Sequence, residues 1–324
     1  MKTIQWGIIG LGNIAERFAK TVKAMDGVTL KAVASRTKNH ALEFGRKYEV
    51  EEKFCYGTYD ELIQDEQIDA IYIAVPHPFH KENAIRCLNN GKAVLCEKPV
   101  TMNKEEVQEV IHAANENKVF FMEAMKSRFM PINKEIRKLV KEGVIGEPTF
   151  MRAELGFKAE FDPKGRIFNR ELGGGALLDI GIYPLSYCAY LLGNKPKSIQ
   201  SSLQYGVTDV DENGTIQLSY DNGSFAQIYC TIRANTRKDA SLLGTDGSIY
   251  IPYFSNAQSA TITTANKEWT IEEPFEFTGF EYQIREVGRC LQEGMLESPQ
   301  MTWQDSIEVM DIVDQIFANN VLKG

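Results

Sequence analysis

The chain has 324 residues, more than a single hydrophobic core usually organises, so two domains are expected. With 44 acidic and 36 basic residues its net charge is −8, which excludes the basic footprint of a nucleic-acid binder and offers nothing to an anionic membrane surface. There is no run of 18 apolar residues to predict a membrane-spanning helix, and Met1-Lys2-Thr3-Ile4-Gln5-Trp6 lacks the apolar core of a secretory signal. A cytoplasmic protein is the expectation. The six cysteines are scattered without a Cys-x-x-Cys pair and read as free, mostly buried thiols. In that setting Asn213-Gly214-Thr215 and Asn222-Gly223-Ser224 read as turns, not glycosylation sites.

Ile4, Trp6, Ile8 and Ile9 predict a short strand. Gly10-Leu11-Gly12-Asn13-Ile14-Ala15 follows and opens an amphipathic helix carrying Phe18, Val22 and Met25. This is G-x-G-x-x-A between a strand and a helix, the context in which the motif binds dinucleotides. Gly10 permits the tight turn, Gly12 lets the backbone approach a pyrophosphate, and Ala15 keeps helix and strand close. Asn13 and Ile14 bring the N–H groups of the helix start to the phosphates. A second strand, Leu30–Ala34, ends in Ser35-Arg36-Thr37. An acidic residue about twenty positions after the glycines would select NAD through the ribose 2′-hydroxyl. A hydroxyl and a guanidinium stand there instead, which favours the 2′-phosphate of NADP over NAD.

Asp69–Val75 predicts a buried strand with Pro76-His77-Pro78-Phe79-His80 at its carboxyl end and a helix running to Asn90. No carboxylate or cysteine completes a metal-ligand set around His77 and His80, so no metal site is expected. Gly91 ends that helix, and Lys92-Ala93-Val94-Leu95 reads as a further strand running into Cys96-Glu97-Lys98-Pro99. Ligands of open α/β sheets bind outside the carboxyl ends of the strands, so Lys98 is either presented to a bound cofactor or is a surface lysine capping a strand. Pro76, His77, His80, Glu97 and Lys98 complete the candidate cofactor contacts, with ordinary helix-start histidines the other reading of His77 and His80. A helix over Lys104–Asn117 and a strand Val119–Ala124 close a doubly wound parallel domain, residues 1–124.

Residues 125–324 read as a substrate-binding and dimerisation domain of α+β type. Pro131–Glu142 predicts a helix, Thr149–Leu155 a strand, and Phe157–Arg170 a polar loop. Gly173-Gly174-Gly175 leads into a helix over Gly175–Leu192, with Asp179 and Tyr183 four apart and therefore on one face. The two are either a hydrogen-bonded core pair or a phenol acting as acid/base beside an orienting carboxylate. Pro184 sits awkwardly inside this helix. From Lys197 to about Ile271 successive strands, with a hairpin signal at Tyr220–Ser224, predict a large, mostly antiparallel open sheet. Helices Tyr282–Gln292 and Trp303–Asn320 are expected to help cover it, and a second subunit the remainder.

The sequence of motifs, G-x-G-x-x-A, P-H-P-x-x-H, G-K-x-x-L-C-E-K-P and G-G-G-A-L-L-D-I-G-I-Y, resembles the Gfo/Idh/MocA oxidoreductases over nearly the whole chain. Within that family it is similar to the dimeric dihydrodiol dehydrogenase, or NADP-dependent D-xylose dehydrogenase, branch. The resemblance implies an N-terminal Rossmann domain and a homodimer formed through the C-terminal sheet. It implies Lys98 as the active-site lysine, Tyr183 as the acid/base tyrosine, Asp179 one turn before it, Arg36 on the 2′-phosphate and His80 beside the cofactor. Lys126 and Leu155 depart from the aromatic residues of that branch and point to a more polar pocket, suited to a sugar or polyol. The expected activity is NADP(H)-dependent hydride transfer at a carbinol or carbonyl carbon of a small sugar, polyol or diol. Lys98 would support the tyrosine or hold the substrate oxygen through its charge. A non-catalytic NADP-binding regulator on the same scaffold is the alternative. An imine or bilin-like substrate is a third reading, since Lys158, Arg166 and Arg170 in the polar loop admit acidic groups.

Overall fold

In the computed structural model, which describes residues 3–320, strand and helix alternate from the start. The order is β1 (Ile4–Ile9), α1 (Asn13–Ala24), β2 (Val28–Ala34), α2 (Lys38–Tyr48), β3 (Cys55–Tyr56), α3 (Tyr59–Ile63), β4 (Ala70–Ile73), α4 (His80–Asn89), β5 (Ala93–Cys96), α5 (Lys104–Asn117) and β6 (Phe121–Glu123). The pairs α2–α3 and strand β3 were not anticipated from the sequence pattern; α3 starts with a Thr58/Glu61 capping box. These strands form one parallel sheet in the order β3-β2-β1-β4-β5-β6. The order reverses between β1 and β4, which makes that junction the switch point where such sheets take their ligands. β4 and β5 are buried at every residue, as strands covered on both faces must be. Phe18 of α1 stacks on Tyr72 of β4 with ring centroids 3.9 Å apart and meets Trp6 of β1 edge-on at 5.1 Å.

The chain continues through α6 (Pro131–Lys141), β7 (Pro148–Gly156), α7 (Ile182–Leu192), β8 (Ser198–Tyr205), β9 (Asp211–Ser219), β10 (Phe225–Thr231), β11 (Ala240–Gly244), β12 (Gly247–Ile251), β13 (Ser259–Thr264), β14 (Glu268–Glu272), α8 (Glu281–Gln292) and α9 (Trp303–Asn319). The strands make an eight-stranded sheet in the order β14-β13-β12-β11-β7-β10-β9-β8. Its ladders are antiparallel except β7–β10, which is parallel and joins segments far apart in the chain. Asn213 lies inside β9, not in a turn. The sequence reading took Asn-Gly for a turn signal, but Gly214 is used here for close packing. A Cβ at that position would sit 2.8 Å from Leu203 Cδ2 and 3.0 Å from Cys230 Sγ. Asn222-Gly223-Ser224 does form the β9–β10 hairpin turn, with Gly223 at φ 84°.

Two compact units result. The first takes the chain through Thr101, then Glu105–Ala124 and Glu276–Trp303; the second takes Met102–Lys104, Met125–Phe275 and the chain from Gln304 on. The two contiguous domains read from the sequence, 1–124 and 125–324, contain no such return. Helix α8 therefore packs within the first unit and is not cover for the large sheet. Thr278 Oγ1 lies 2.5 Å from Thr21 Oγ1, the Phe121 N–H donates to Leu296 O at 3.0 Å, and Trp303 Nε1 donates to Phe121 O at 2.9 Å. Helix α9 belongs to the second unit, where Asn320 Oδ1 accepts from the Leu203 N–H of β8 at 3.0 Å.

The helical run leading to α7 begins as a five-residue π-type turn, Leu177–Gly181, and becomes α-helical at Ile182. Pro184 explains the change of pitch. It has no N–H to donate to the carbonyl four residues back, Ile180, and its ring crowds that carbonyl. With i to i+5 bonding in the turn, a four-residue spacing no longer fixes a shared face for Asp179 and Tyr183. Residues 170–192 are long enough for a membrane-crossing helix, and their most apolar 18-residue window reaches a mean hydropathy of 1.3. Of that window 83% is buried inside the protein, which makes the run a core helix. All six cysteines are free and buried.

Candidate active site

Part of the candidate site is built on the carboxyl edge of the parallel sheet. Gly10 follows β1 with φ 86°, and a Cβ there would lie 2.7 Å from Ala74 O beyond β4. Left-handed backbone and close approach both require glycine. Gly12 precedes α1, which has no side-chain cap, and nothing lies within 4 Å of the position a Cβ on Gly12 would take. Gly12 and Asn13 are exposed and Ile14 is half-buried, so the positive end of the helix is open, a setting that fits a dinucleotide pyrophosphate. Ala15 is fully buried, as close helix–strand packing requires.

Ser35, Arg36 and Thr37 follow β2, on the other side of β1 from the switch point. Ser35 is buried with Oγ 3.0 Å from His40 Nδ1, whereas Arg36 and Thr37 are exposed. Arg36 has no carboxylate partner among the described residues. Pro76 and His77 open a short 3-10 turn after β4, and His77 is buried with its ring centroid 5.7 Å from that of His80.

Lys98 is half-buried on the turn that leaves β5, and its bond to Pro99 is cis. Buried polar groups hold this turn on three sides. The Glu97 carboxylate accepts from the Tyr72 phenol and from the Lys98 N–H at 3.2 Å. Glu123 of β6 accepts from the Val100 N–H at 3.2 Å. His80 is fully buried, with Nδ1 2.8 Å from Pro99 O and Nε2 2.8 Å from Val75 O. His80 and Glu97, expected as cofactor contacts, are both buried, at 0% and 8% exposure. Both are turned inward, and their observed work is to fix the Lys98 turn to the end of β4. The sequence carried no signal for that, because the partners lie 19 and 25 positions away.

Asp179 and Tyr183 lie on the helical run of the second unit. Asp179 sits in the π-type turn, nearly buried, and accepts from Arg166 Nη1 at 3.0 Å. Tyr183 is half-buried in the first turn of α7. The polar loop is stitched to the glycine turn before this helix: the Gly174 N–H donates to Asn169 O and the Gly175 N–H to Ile167 O, both at 3.0 Å. Arg166, a cation of the polar loop, is thus held by Asp179, 13 positions on. Lys126 is buried, with Nζ hydrogen-bonded to Asn256 Oδ1 and 5.9 Å from the centre of the Phe275 ring. Leu155 of β7 is buried as well.

A dinucleotide-ready parallel sheet followed by a large open sheet defines a class of two-domain oxidoreductase, and sequence and structure comparisons agree with it. Residues 4–125 match the model of the oxidoreductase family with an NAD-binding Rossmann fold, and residues 133–250 match the Gfo/Idh/MocA C-terminal domain. The chain is 38% identical over 322 residues to trans-1,2-dihydrobenzene-1,2-diol dehydrogenase of Xenopus laevis, covering 96% of each chain. The human protein of the same name is 32% identical over 324 residues, with 97% of this chain and 96% of the other covered. A crystal structure of aldose-aldose oxidoreductase from Caulobacter crescentus superposes with a TM-score of 0.90 at 26% identity, over 98% and 97% of the two chains. The chain belongs to the Gfo/Idh/MocA oxidoreductase family. It is an NAD(P)-dependent oxidoreductase, and the alternative of a non-catalytic regulator finds no support among these relatives.

The His80 clasp has a pH signature. Burial pushes the imidazole down to about 4, backbone hydrogen bonding at Pro99, Val75 and Val100 opposes this, and the Lys98 charge adds to it. The neutral ring donates to one carbonyl at a time. An unfolded histidine titrates near 6.5, so between about 6.5 and about 4 the unfolded chain binds more protons than the folded one. The clasp's contribution is therefore complete above pH 6.5 and lost on acidification, by up to about 1.4 kcal/mol per pH unit. In urea unfolding, the stability gap between wild type and His80→Gln is expected to narrow from pH 7 to pH 4.5. A gap that stays constant over that range rules out a neutral, buried clasp.

Proposed function

We propose that the enzyme is an NADP(H)-dependent dehydrogenase acting on a carbinol or carbonyl carbon of a small polyhydroxylated substrate. The observation that carries this reading is the Lys98 turn, held by buried groups at the same sheet edge as the Gly10 turn. The bound dinucleotide supplies the hydride acceptor or donor. Gly10, Gly12, Asn13, Ile14 and Ala15 hold its pyrophosphate by backbone contact, and Pro76 and His77 line the end of β4 beside it. Arg36, with Ser35 and Thr37, binds the 2′-phosphate; the exposed guanidinium without an acidic partner supports this preference over NAD. Tyr183 exchanges the substrate hydroxyl proton. Lys98 holds the substrate oxygen or supports the tyrosine through its positive charge, and Asp179 orients them.

A sugar or polyol is favoured over an aryl diol by buried Lys126, whose Nζ is hydrogen-bonded to the exposed Asn256 in the second unit. The relatives' names cover both substrate kinds, diols and aldoses. We also propose a homodimer in which a second copy covers the open face of the eight-stranded sheet. Phe225, Phe150 and Leu243 lie side by side across β10, β7 and β11, and Phe225 and Leu243 are 44% and 42% exposed. Such a row on an otherwise polar face fits a self-complementary interface.

Activity is followed by NADPH absorbance across aldoses, inositols, polyols and aryl diols, with sugars or polyols expected to lead; a clear preference for aryl diols overturns the substrate class. On the leading substrate, Lys98→Met should lower kcat at least about a hundredfold with cofactor still bound. Near-normal turnover removes Lys98 from the mechanism. Arg36→Ala should weaken NADP far more than NAD, and equal losses would show that the guanidinium does not read the 2′-phosphate. Light scattering should give twice the chain mass at assay concentrations, and a monomer mass overturns the assembly.

A further inference from the structure

The helical run carrying Asp179 and Tyr183 starts at a glycine turn, and one buried carboxylate meets it there. Asp211, the first residue of β9, is 2% exposed. Its Oδ2 accepts from the Leu177 N–H at 2.6 Å, and the Ala176 N–H and its own N–H are further donors to it. Gly175, at φ 116°, leaves room for this carboxylate: a Cβ on Gly175 would overlap Asp211 Oδ1. The N–H groups at a helix start lack partners within the helix, and an acceptor carboxylate satisfies them where the helix dipole is positive. The cap comes from 34 positions downstream, so it ties the helix start to β9. The bonds from Gly174 and Gly175 to the polar loop, and the Arg166–Asp179 pair, fix the same segment from the other side.

We propose that Asp211 is a positioning residue of the reaction: its buried carboxylate sets the start of the helix that presents Asp179 and Tyr183. The proposal rests on the reading of Tyr183 and Asp179 as catalytic. A charged carboxylate accepts strongly from backbone N–H groups, and a protonated one accepts weakly. Burial pushes the Asp211 carboxyl up to about 7 against the pull of those N–H donors. The cap is thus strongest above pH 7 and loosens below it. The neighbouring titratable groups do not mask this. Tyr205 on β8 and Cys230 on β10 are both raised by burial and neutral near pH 7, Asp179 is paired with Arg166, and Glu212 is paired with Arg233.

Asp211→Asn retains shape but not charge. We expect kcat to fall about tenfold, the loss of roughly one cap hydrogen bond, with KM for the dinucleotide unchanged. The acid limb of the wild-type kcat profile near pH 7 should flatten in the variant. Wild-type kcat with an unchanged profile overturns the positioning role. Tyr183→Phe separates the two readings. If it is inactive while Asp211→Asn is normal, the cap proposal fails alone; if it turns over normally, the catalytic reading fails. A measurement on wild type needs neither activity nor a folded variant. Hydrogen-exchange protection at Ala176 and Leu177, corrected for the intrinsic rate, should rise as pH passes from 6 to 8, and protection that does not change overturns the cap.

Discussion

The first unit depends on a small set of buried hydrogen bonds around one turn. A lysine that leaves a fully buried strand would ordinarily reach solvent in many conformations. Here the backbone on both sides of Lys98 is tied down: His80 contacts the Pro99 carbonyl, Glu123 accepts from the Val100 N–H, and Glu97 accepts from the Lys98 N–H. Each of these groups is buried, so leaving any of them unpaired costs far more than an exposed hydrogen bond returns. The chain of support reaches further, since Tyr72 holds Glu97 and Phe18 stacks on Tyr72. Helix α1 and the turn that carries the lysine are thereby connected through one aromatic stack.

The second unit solves a comparable problem with a different device. The helical run that carries Asp179 and Tyr183 is placed by interruption. Pro184 removes a donor just where the helix would begin, the turn before it widens, and Asp179 comes to face Arg166. The parallel β7–β10 ladder brings Cys230 beside this segment, where a Cβ on Gly181 would lie 3.0 Å from Cys230 Sγ. A side chain at 181 would thus crowd Cys230 and Leu177 where the helix meets the sheet.

What could be read from the sequence was what is local in it. G-x-G-x-x-A, the E-K-P turn and the Tyr220–Ser224 hairpin are each decided by neighbouring residues, and each lies where it was expected. The inward roles of His80 and Glu97, the Arg166–Asp179 pair and the Asp211 cap join positions 13 to 34 residues apart. No pattern of spacing encodes such pairs. Asn213 misled for a related reason: Asn-Gly favours a turn by itself, but the packing of Leu203 and Cys230 against Gly214 keeps it in a strand. Helix α8 was expected to help cover the large sheet, but the residues flanking it, Thr278 and Leu296, bond to Thr21 and Phe121, more than a hundred residues back.

That return of the chain bears on the order in which the protein can be made. β6 is the edge of the parallel sheet, and the outward N–H and carbonyl of Phe121 are bonded to Leu296 and Trp303. During synthesis the sheet is complete once β6 emerges, yet the segment that covers its edge is separated from it by the whole run Met125–Phe275. At about 5–20 residues per second that interval is roughly 8–30 s. Over that time a nascent chain carries an apolar, unpaired strand edge, the kind of surface on which chains pair with one another. The sheet of the first unit thus forms well before the segment that covers its edge is made.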